Sequence, residues 1–510
     1  MRGLKALLII GGALCFLSAQ PALAKTGDFG FFTGISEGRK LPKSTELLLE
    51  KNSNSKDEVE AVYKEVMFLT GTPTVFQGKM TTTIGSYDTA KSPGEYTVEY
   101  KVESTDSTND EDNKIERTIK YAVDFRKEGD QVIKDYEIDK AGDWSETMTI
   151  NGVQYSLDAE QSYSNIGIIE SLTPGVTYYK GDISHRAVYT ADENKVTWEL
   201  SGSFYGYDCA WSSAETQRID ATVKTDQWQM QYQIRPSVSV GKMLQYSENE
   251  PTAISFSGNY REVMQNLSGL SYNIYSIPAN LTYSVPATGT VSIDSFNNFE
   301  QLIAPDLSFL KGHFAEYDIK KLFAMQILDG QPSFYQPSQA ITRGEYVKML
   351  VKAVKLPIEE QKKTKGRKNN VVNIVFPDVT EDRPDYPYIM AAYKKGLAVG
   401  RDNGHFYTDA PIERQEAIVI LMRTIGLETL GLDNTPVTSF TDNQYIANWA
   451  KREVYAANRL GIITGDDDGK FKPTSYVTKA EAAAFVNRLV DYMRQDLRTD
   501  YTEHIVNYAN

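Results

Sequence analysis

The chain has 510 residues, with 54 Lys and Arg against 68 Asp and Glu, four His and two Cys. Roughly 100–200 residues per domain implies two to four domains, and 41% hydrophobic residues are enough to bury real cores. A net charge of −14 argues against nucleic-acid binding, which needs clustered cations, and the scattered His185, His313, His405 and His504 with no Cys pair argue against a zinc scaffold.

Arg2 and Lys5 precede an apolar run from Ala6 to Leu17, and Ala22-Leu23-Ala24 places small residues at both recognition positions of a cleavage site. This is the layout of a secretory signal peptide over residues 1–24, cut after Ala24, and its run is too short for an ordinary membrane span. Its removal leaves Cys209 as the one cysteine, so no internal disulfide framework is expected. No later stretch has the roughly 20 apolar residues that a spanning helix needs. The expected product is exported and acidic, held at any surface by a binding module.

Residues 25–54 are polar and read as a flexible lead-in. Ser55 and Glu58 then have capping-box spacing, and Val59, Val62, Tyr63 and Val66 follow at helical spacing up to Gly71 and Pro73. One amphipathic helix is expected there. From about Thr72 to Ile293 the period is two. Tyr96, Val98, Tyr100 and Val102 alternate with polar residues; so do Ile115, Ile119, Tyr121 and Val123, with Arg117 interrupting their apolar side. Trp228, Met230, Tyr232 and Ile234 interleave with Gln227, Gln229, Gln231 and Gln233. Strands with one wet face are usual in antiparallel sheets, and Ser92-Pro93-Gly94, Glu128-Gly129-Asp130 and Thr173-Pro174-Gly175 carry turn chemistry. Many runs are shorter than the about 9–11 residues of a membrane-barrel strand, and Ser104–Asn113 reads as a loop at a hairpin end. Residues 55–300 are therefore expected to form an antiparallel β-rich domain.

After Ile293 the pattern turns helical and one unit recurs three times. The last copy has Phe440-Thr441-Asp442, Trp449, Gly461-Ile462-Ile463-Thr464-Gly465, Phe471-Lys472-Pro473 and Val477-Thr478-Lys479-Ala480-Glu481. The middle copy has Phe376-Pro377-Asp378-Val379, Gly396-Leu397-Ala398-Val399-Gly400, Phe406 and Ile412-Glu413-Arg414-Gln415-Glu416. The first has Phe314, Ile327-Leu328-Asp329-Gly330, Phe334, Pro337 and Ile341-Thr342-Arg343-Gly344-Glu345. Units repeated in this way bury their faces against one another. The expected boundaries are 306–357, 376–430 and 440–492, with a basic linker over 358–375 and a tail over 493–510.

In these motifs the repeats resemble S-layer homology modules, three in tandem over roughly residues 306–492. The resemblance implies an all-α-type pseudo-threefold module in which each repeat gives a helix to a central bundle. It also implies grooves between repeats that bind secondary cell-wall polysaccharide, often through a pyruvate ketal, or a peptidoglycan-linked polymer. The expected location is the cell wall and cell surface, as in an S-layer.

Several residues have a reading independent of the family. Thr342 with Glu345, and Thr478 with Glu481, have the spacing of capping boxes. Arg343, Arg414 and Lys479 stand at the first helical position, where the helix dipole disfavours a cation. A cation there in all three copies points either to anion binding, aided by free helix N–H groups, or to a salt bridge with a neighbouring repeat. Phe314 and Trp449 occupy equivalent places and read as core residues or as platforms for a sugar ring. Gly330, Gly400 and Gly465 serve a tight turn or admit a ligand closely. Asp466-Asp467-Asp468-Gly469 lacks the remaining ligands of a calcium loop and reads as a polar turn. The first copy departs from the pattern at Gln326, the second at Glu413 and the third at Lys479.

The β-rich region shows no P-loop, no G-x-S-x-G and no H-E-x-x-H. Tyr178, Tyr179, Trp198, Trp211 and Trp228 read as core, with sugar stacking as the alternative. No cofactor, metal or catalytic residue is expected. A non-catalytic surface or adhesive domain is favoured, open to self-association through a polar face or edge strands. The alternative is a polysaccharide- or wall-processing enzyme with an acid pair that meets only in space.

Overall fold

A computed structural model describes residues 34–36, 57–85, 93–106, 112–192, 194–247, 259–276, 287–293, 298–358, 375–401, 403–427 and 436–500. The proposed signal peptide and most of the basic linker lie outside these residues. Among the described residues the β-rich part has sixteen strands: β1 (Gly34–Ser36), β2 (Asp57–Met67), β3 (Thr74–Ile84), β4 (Gly94–Asp106), β5 (Lys114–Glu128), β6 (Gln131–Glu137), β7 (Trp144–Ile150), β8 (Val153–Leu157), β9 (Tyr163–Leu172), β10 (Val176–Ala191), β11 (Asn194–Cys209), β12 (Ser212–Lys224), β13 (Gln229–Ser247), β14 (Asn259–Ser276), β15 (Thr288–Ile293) and β16 (Asn298–Ile303). Neighbours pair antiparallel in the order β1-β2-β3-β4-β5-β6-β9-β10-β11-β12-β13-β14-β15. The β7–β8 hairpin makes a second bridge from β5 to β10, and β16 extends β14.

The sheet curls until its two ends meet. Ser268 Oγ on β14 donates to Ser36 O on β1 at 2.9 Å, and Lys64 Nζ on β2 donates to Ser292 O on β15 at 3.0 Å. The enclosed face carries the core. On β4, Tyr96, Val98, Tyr100 and Val102 are buried, while Glu95, Lys101 and Glu103 are exposed on the other face. These strands are longer than their apolar runs suggested, and β4 continues through Ser104 to Asp106. Their charged outer rows, not their length, set this curled sheet apart from a lipid-facing barrel. Among the described residues no helix is long and apolar enough to cross a bilayer. Aromatic rings close the tight bends across glycines on the inner face: a Cβ on Gly206 would lie 2.2 Å from Tyr179 Oη, and one on Gly181 2.2 Å from Phe204 Cζ.

Two expectations fail at the amino-terminal end. Residues 57–67, expected to be helical, form strand β2, and within the expected lead-in residues 34–36 form β1. Val62 belongs to the proposed helical stripe yet is 39% exposed, whereas Tyr63, Glu65 and Met67 lie buried in a period-two row. The charge at Glu65 hides that row in the sequence.

The second part contains α1 (Glu316–Ala324), α2 (Arg343–Ala353), α3 (Tyr386–Lys394), α4 (Arg414–Ile425), α5 (Lys451–Arg459), α6 (Lys479–Gln495) and α7 (Leu497–Asp500). The segments before α2, α4 and α6 bond in a closed cycle. Ile341 N–H donates to Val477 O at 2.8 Å, Val477 N–H to Ile412 O at 3.0 Å, and Ile412 N–H to Ile341 O at 3.2 Å. Gly396 and Gly461 take φ of +70° in their turns; Gln326 is forced to +57° at the same place in the first copy, a conformation costly for a residue with a Cβ. Asp378 and Asp442 explain the aspartate of the repeat motif. Asp378 accepts the N–H groups of Phe406 and Tyr407 at 2.8 and 2.6 Å, and Asp442 those of Phe471 and Lys472 at 2.8 Å each.

The two parts share one interface, built on helix ends. The last carbonyls of a helix have no partner within it. Here the curled sheet supplies donors: Trp211 Nε1 to Ala353 O at 2.7 Å on α2, Tyr178 Oη to Ile425 O at 2.8 Å on α4, and Ser212 Oγ to Met493 O at 2.5 Å on α6. Gly175 N–H adds a bond to Thr424 O at 2.7 Å. Val176, Tyr207 and Trp211 are buried in the same apolar cluster as the helices.

Candidate functional site

The starts of α2, α4 and α6 gather the residues singled out by the repeats. Thr342 and Thr478 form capping boxes with Glu345 and Glu481. Each of these glutamates has a second task. Glu345 Oε2 accepts Thr342 N–H at 3.0 Å while its Oε1 accepts Lys479 Nζ at 2.8 Å. Glu481 Oε2 accepts Thr478 N–H at 2.8 Å while its Oε1 accepts Arg414 at 2.6 Å. In the middle copy Glu413 replaces the capping threonine and makes no cap; Glu416 pairs instead with Arg343 through one oxygen and with Arg401, at 3.0 Å, through the other. The three cations thus close a ring: Arg343 to Glu416, Arg414 to Glu481, Lys479 to Glu345. Of the two readings open for these cations, the salt bridge between repeats is the arrangement present.

The helix N–H groups are occupied as well. Arg343 N–H donates to Ala410 O, Arg414 N–H to Ser475 O and Lys479 N–H to Gln339 O, at 2.9, 2.9 and 2.8 Å. The expected free donors are therefore taken by the next copy's backbone. Arg343 stacks over Phe406 at 4.9 Å and Arg414 over Phe485 at 5.2 Å. Burial pushes both guanidinium groups below the usual arginine range, against the pull of Glu416 and Glu481 respectively.

Phe314 and Trp449, weighed as core, are 70% and 57% exposed. Gln415 Oε1 accepts the N–H of Ala447 at 3.2 Å, which holds the Trp449 segment against the start of α4. The middle copy has Pro384 at the equivalent place, two residues before its helix, flanked by Arg383 paired with Asp385 and Asp409. The spacing to the turn marks this place in the sequence, since Pro384 precedes Gly396 by the same interval as Trp449 precedes Gly461. Gly330 has φ +89° and open space at its Cβ, whereas a Cβ on Gly400 would lie 2.8 Å from the Phe376 ring and one on Gly465 2.9 Å from Gly469. Asp466 accepts the N–H groups of Asp468 and Lys470 at 3.0 and 2.9 Å; with Lys472 beside it, its carboxyl is held down to about 2. This is the expected polar turn.

The β-rich part holds a charged cluster inside its core. Arg117 Nη1 donates to both oxygens of Glu65 at 3.1 and 3.0 Å, and its Nη2 to Glu146 at 2.6 Å, with all three side chains fully buried. Trp144 Nε1 donates to the other Glu146 oxygen at 3.2 Å. His185 packs between Trp144 and Trp198, with ring centroids 4.9 and 5.5 Å away. This acid pair is sealed from solvent, and both carboxylates are bonded to Arg117. Tyr179, Trp198 and Trp211 are buried core residues.

Burial, and then the Arg117 charge, push His185 down to about 3. Its folded value lies below the unfolded value near 6.5, so the unfolded chain takes up the proton first as pH falls. The stability held by neutral His185 is complete above about pH 6.5 and drains away toward pH 3. Urea titrations at several pH values are expected to give a shallower pH slope over this window for His185→Phe than for the unaltered protein. Equal slopes would show that His185 does not carry the linkage.

This architecture is a module of three helical repeats joined to a curled β-sheet. Residues 310–347, 375–418 and 439–483 match the S-layer homology domain, and the chain carries three of these domains in tandem. The exoglucanase XynX of Acetivibrio thermocellus is 32% identical over 184 residues, 36% of this chain and 16% of that protein. The S-layer protein sap of Bacillus anthracis is 30% identical over 154 residues, 30% of this chain and 17% of that protein. The amylopullulanase of Thermoanaerobacterium thermosulfurigenes is 28% identical over 211 residues, 40% of this chain and 11% of that protein. The chain therefore covers less than a fifth of each of these relatives. The three domains mark a cell-wall-anchored surface protein, and the relatives that share the similarity include both S-layer proteins and glycosidases.

Proposed function

We propose that the protein is exported, with its signal peptide cut after Ala24, and held non-covalently on secondary cell-wall polysaccharide by its three repeats, displaying a non-catalytic β-rich domain. The observation that carries this reading is the exposed Trp449 ring, held by its backbone beside the start of α4, where Arg414 stands. An open aromatic face stacks on a sugar, while a guanidinium with a nitrogen to spare favours an acid substituent such as a pyruvate ketal. The groove between the second and third copies is the strongest of the three. Phe314 with Lys479, and Gly330 at its open turn, serve the groove between the third and first copies. Arg343 lies in the remaining groove, where Pro384 leaves no aromatic platform. Gly400 and Gly465 shape the turns beside the grooves, the space of their missing Cβ being filled by Phe376 and Gly469.

Co-sedimentation with purified walls tests the reading. Trp449→Ala is expected to weaken binding to walls at least tenfold with little change in unfolding temperature, because the ring is exposed. Unchanged binding, or no binding of the unaltered protein to walls that retain their secondary polysaccharide, would refute it.

A non-catalytic display domain is supported by where its acids lie. Glu65 and Glu146 are sealed in the core, and on the outer face Asp135 is bonded to Arg126 at 3.1 Å in the open. Self-association of copies at the surface belongs to the same reading, through the polar outer face of the sheet; at its ends, β1 and β15 are drawn toward β14 and β2.

A further inference from the structure

The outer face of the curled sheet carries a trough that the repeats do not explain. A groove of about 920 Å³ crosses β6, β9, β10, β11, β12 and β13, lined by Lys180, Asp182, Tyr205, Arg218 and Arg235 among others. A second groove of about 600 Å³ crosses β13, β14 and β15, and Arg235 lines both. Together they cross eight adjacent strands, on the order of 30 Å at about 4.8 Å per strand. That is the shape of a site for a linear polymer, not a compact metabolite.

At the join the sheet does something unfavourable. Thr216 pairs with Ser237 and Ile219 with Ile234, so Arg218 and Arg235 oppose one another on adjacent strands where Pro236, lacking an N–H, interrupts the ladder. Ile219 and Ile234 are fully buried and both arginines exposed, so the two guanidinium groups share the outer face. Like charges directly opposite destabilise a sheet. No carboxylate is bonded directly to either among the described residues: Arg235 Nε donates to Gln233 Oε1 at 2.7 Å, whose amide donates on to Asp220 at 2.7 Å, and Asp135 and Asp182 stand elsewhere in the same groove lining. The β13–β15 arm is rich in hydroxyls, including Ser237, Ser239, Ser271, Thr290 and Ser292.

We propose that this trough binds a linear anionic glycan, with an acid group of the polymer between Arg218 and Arg235 and its hydroxyls along the serine and threonine arm. Two opposed guanidinium forks suit a carboxylate or a phosphate oxygen pair equally. The site is separate from the repeat grooves.

Titration calorimetry on the full mature chain with three soluble oligomers of matched length tests this: an oligogalacturonate, an oligo(glycerol phosphate) and a neutral malto-oligosaccharide. One or both anionic oligomers are expected to bind more tightly than the neutral one, and the stronger of the two identifies the acid group. Arg218→Ser/Arg235→Ser should weaken that binding at least tenfold, while Lys101→Ser/Lys120→Ser, which removes two outer cations elsewhere, should not. Anionic oligomers that bind no better than the neutral one, or equally well to the arginine variant, would overturn the proposal. Wall co-sedimentation of the same variant separates the two sites. It should persist if the repeats anchor the chain, and its absence in the unaltered protein would count against the repeats alone.

Discussion

Trp211→Ala is expected to destabilise the protein by about 3–5 kcal/mol, the range for deleting a buried large aromatic. Trp211 is 2% exposed, its indole N–H caps α2 at Ala353 O, and the ammonium groups of Lys355 and Lys242 stand over its ring at 4.9 and 5.7 Å. Truncation leaves a cavity at the junction of sheet and helices and an uncapped carbonyl. Because Val176, Tyr207 and Trp211 belong to the helical core, the expected thermogram changes from one transition to two as the parts uncouple. Trp211→Phe keeps the ring and loses the bond, and should cost about 1–2 kcal/mol. A single transition in Trp211→Ala at an unchanged temperature would show that the junction contributes nothing.

Arg117→Met should be comparably severe. It leaves Glu65 and Glu146 buried without a counter-charge, and breaking a buried pair from one side costs about 3–5 kcal/mol. Replacing all three charges together has a different outcome. Glu65→Leu/Arg117→Met/Glu146→Gln removes all three charges of the cluster and keeps an acceptor near the Trp144 indole, so its stability should return to within about 1–2 kcal/mol of the unaltered protein. Denaturant midpoints for the single and triple variants check this. A triple variant as unstable as the single one would mean that packing, not charge, governs the site.

That cluster also explains what the sequence conceals. The strands were legible wherever both faces obeyed one rule, as in Met230, Tyr232 and Ile234 between glutamines. They were illegible where two inward charges neutralise each other from distant strands. Arg117 looked like an interruption and Glu65 made β2 look helical, yet the two are partners on β5 and β2, with β3 and β4 between them in the chain. The repeats were legible because each motif is local: capping threonine, turn glycine and the aspartate that staples the next segment. The ring of cations and glutamates was half legible. The residues recur visibly, but only the closed cycle shows that each cation is answered by the following copy. Phe314 and Trp449 could not be told from core residues, since exposure depends on what the neighbouring copy leaves uncovered.

The junction also has a mechanical meaning. In the proposed reading the polymer is gripped at the starts of α2, α4 and α6, and the sheet is fastened at their far ends. The capped carbonyls lie 10, 11 and 14 residues after Arg343, Arg414 and Lys479, so the two attachments stand about 15–21 Å apart at about 1.5 Å per residue. A pull that draws the displayed sheet away from the wall therefore runs lengthwise down three helices at once. The capping bonds at Ala353, Ile425 and Met493 bear it in parallel. Bonds loaded side by side fail together, where a zipper would open one tooth at a time. The protein is built as a short stiff strut, and the displayed sheet keeps a fixed height and heading above its footing.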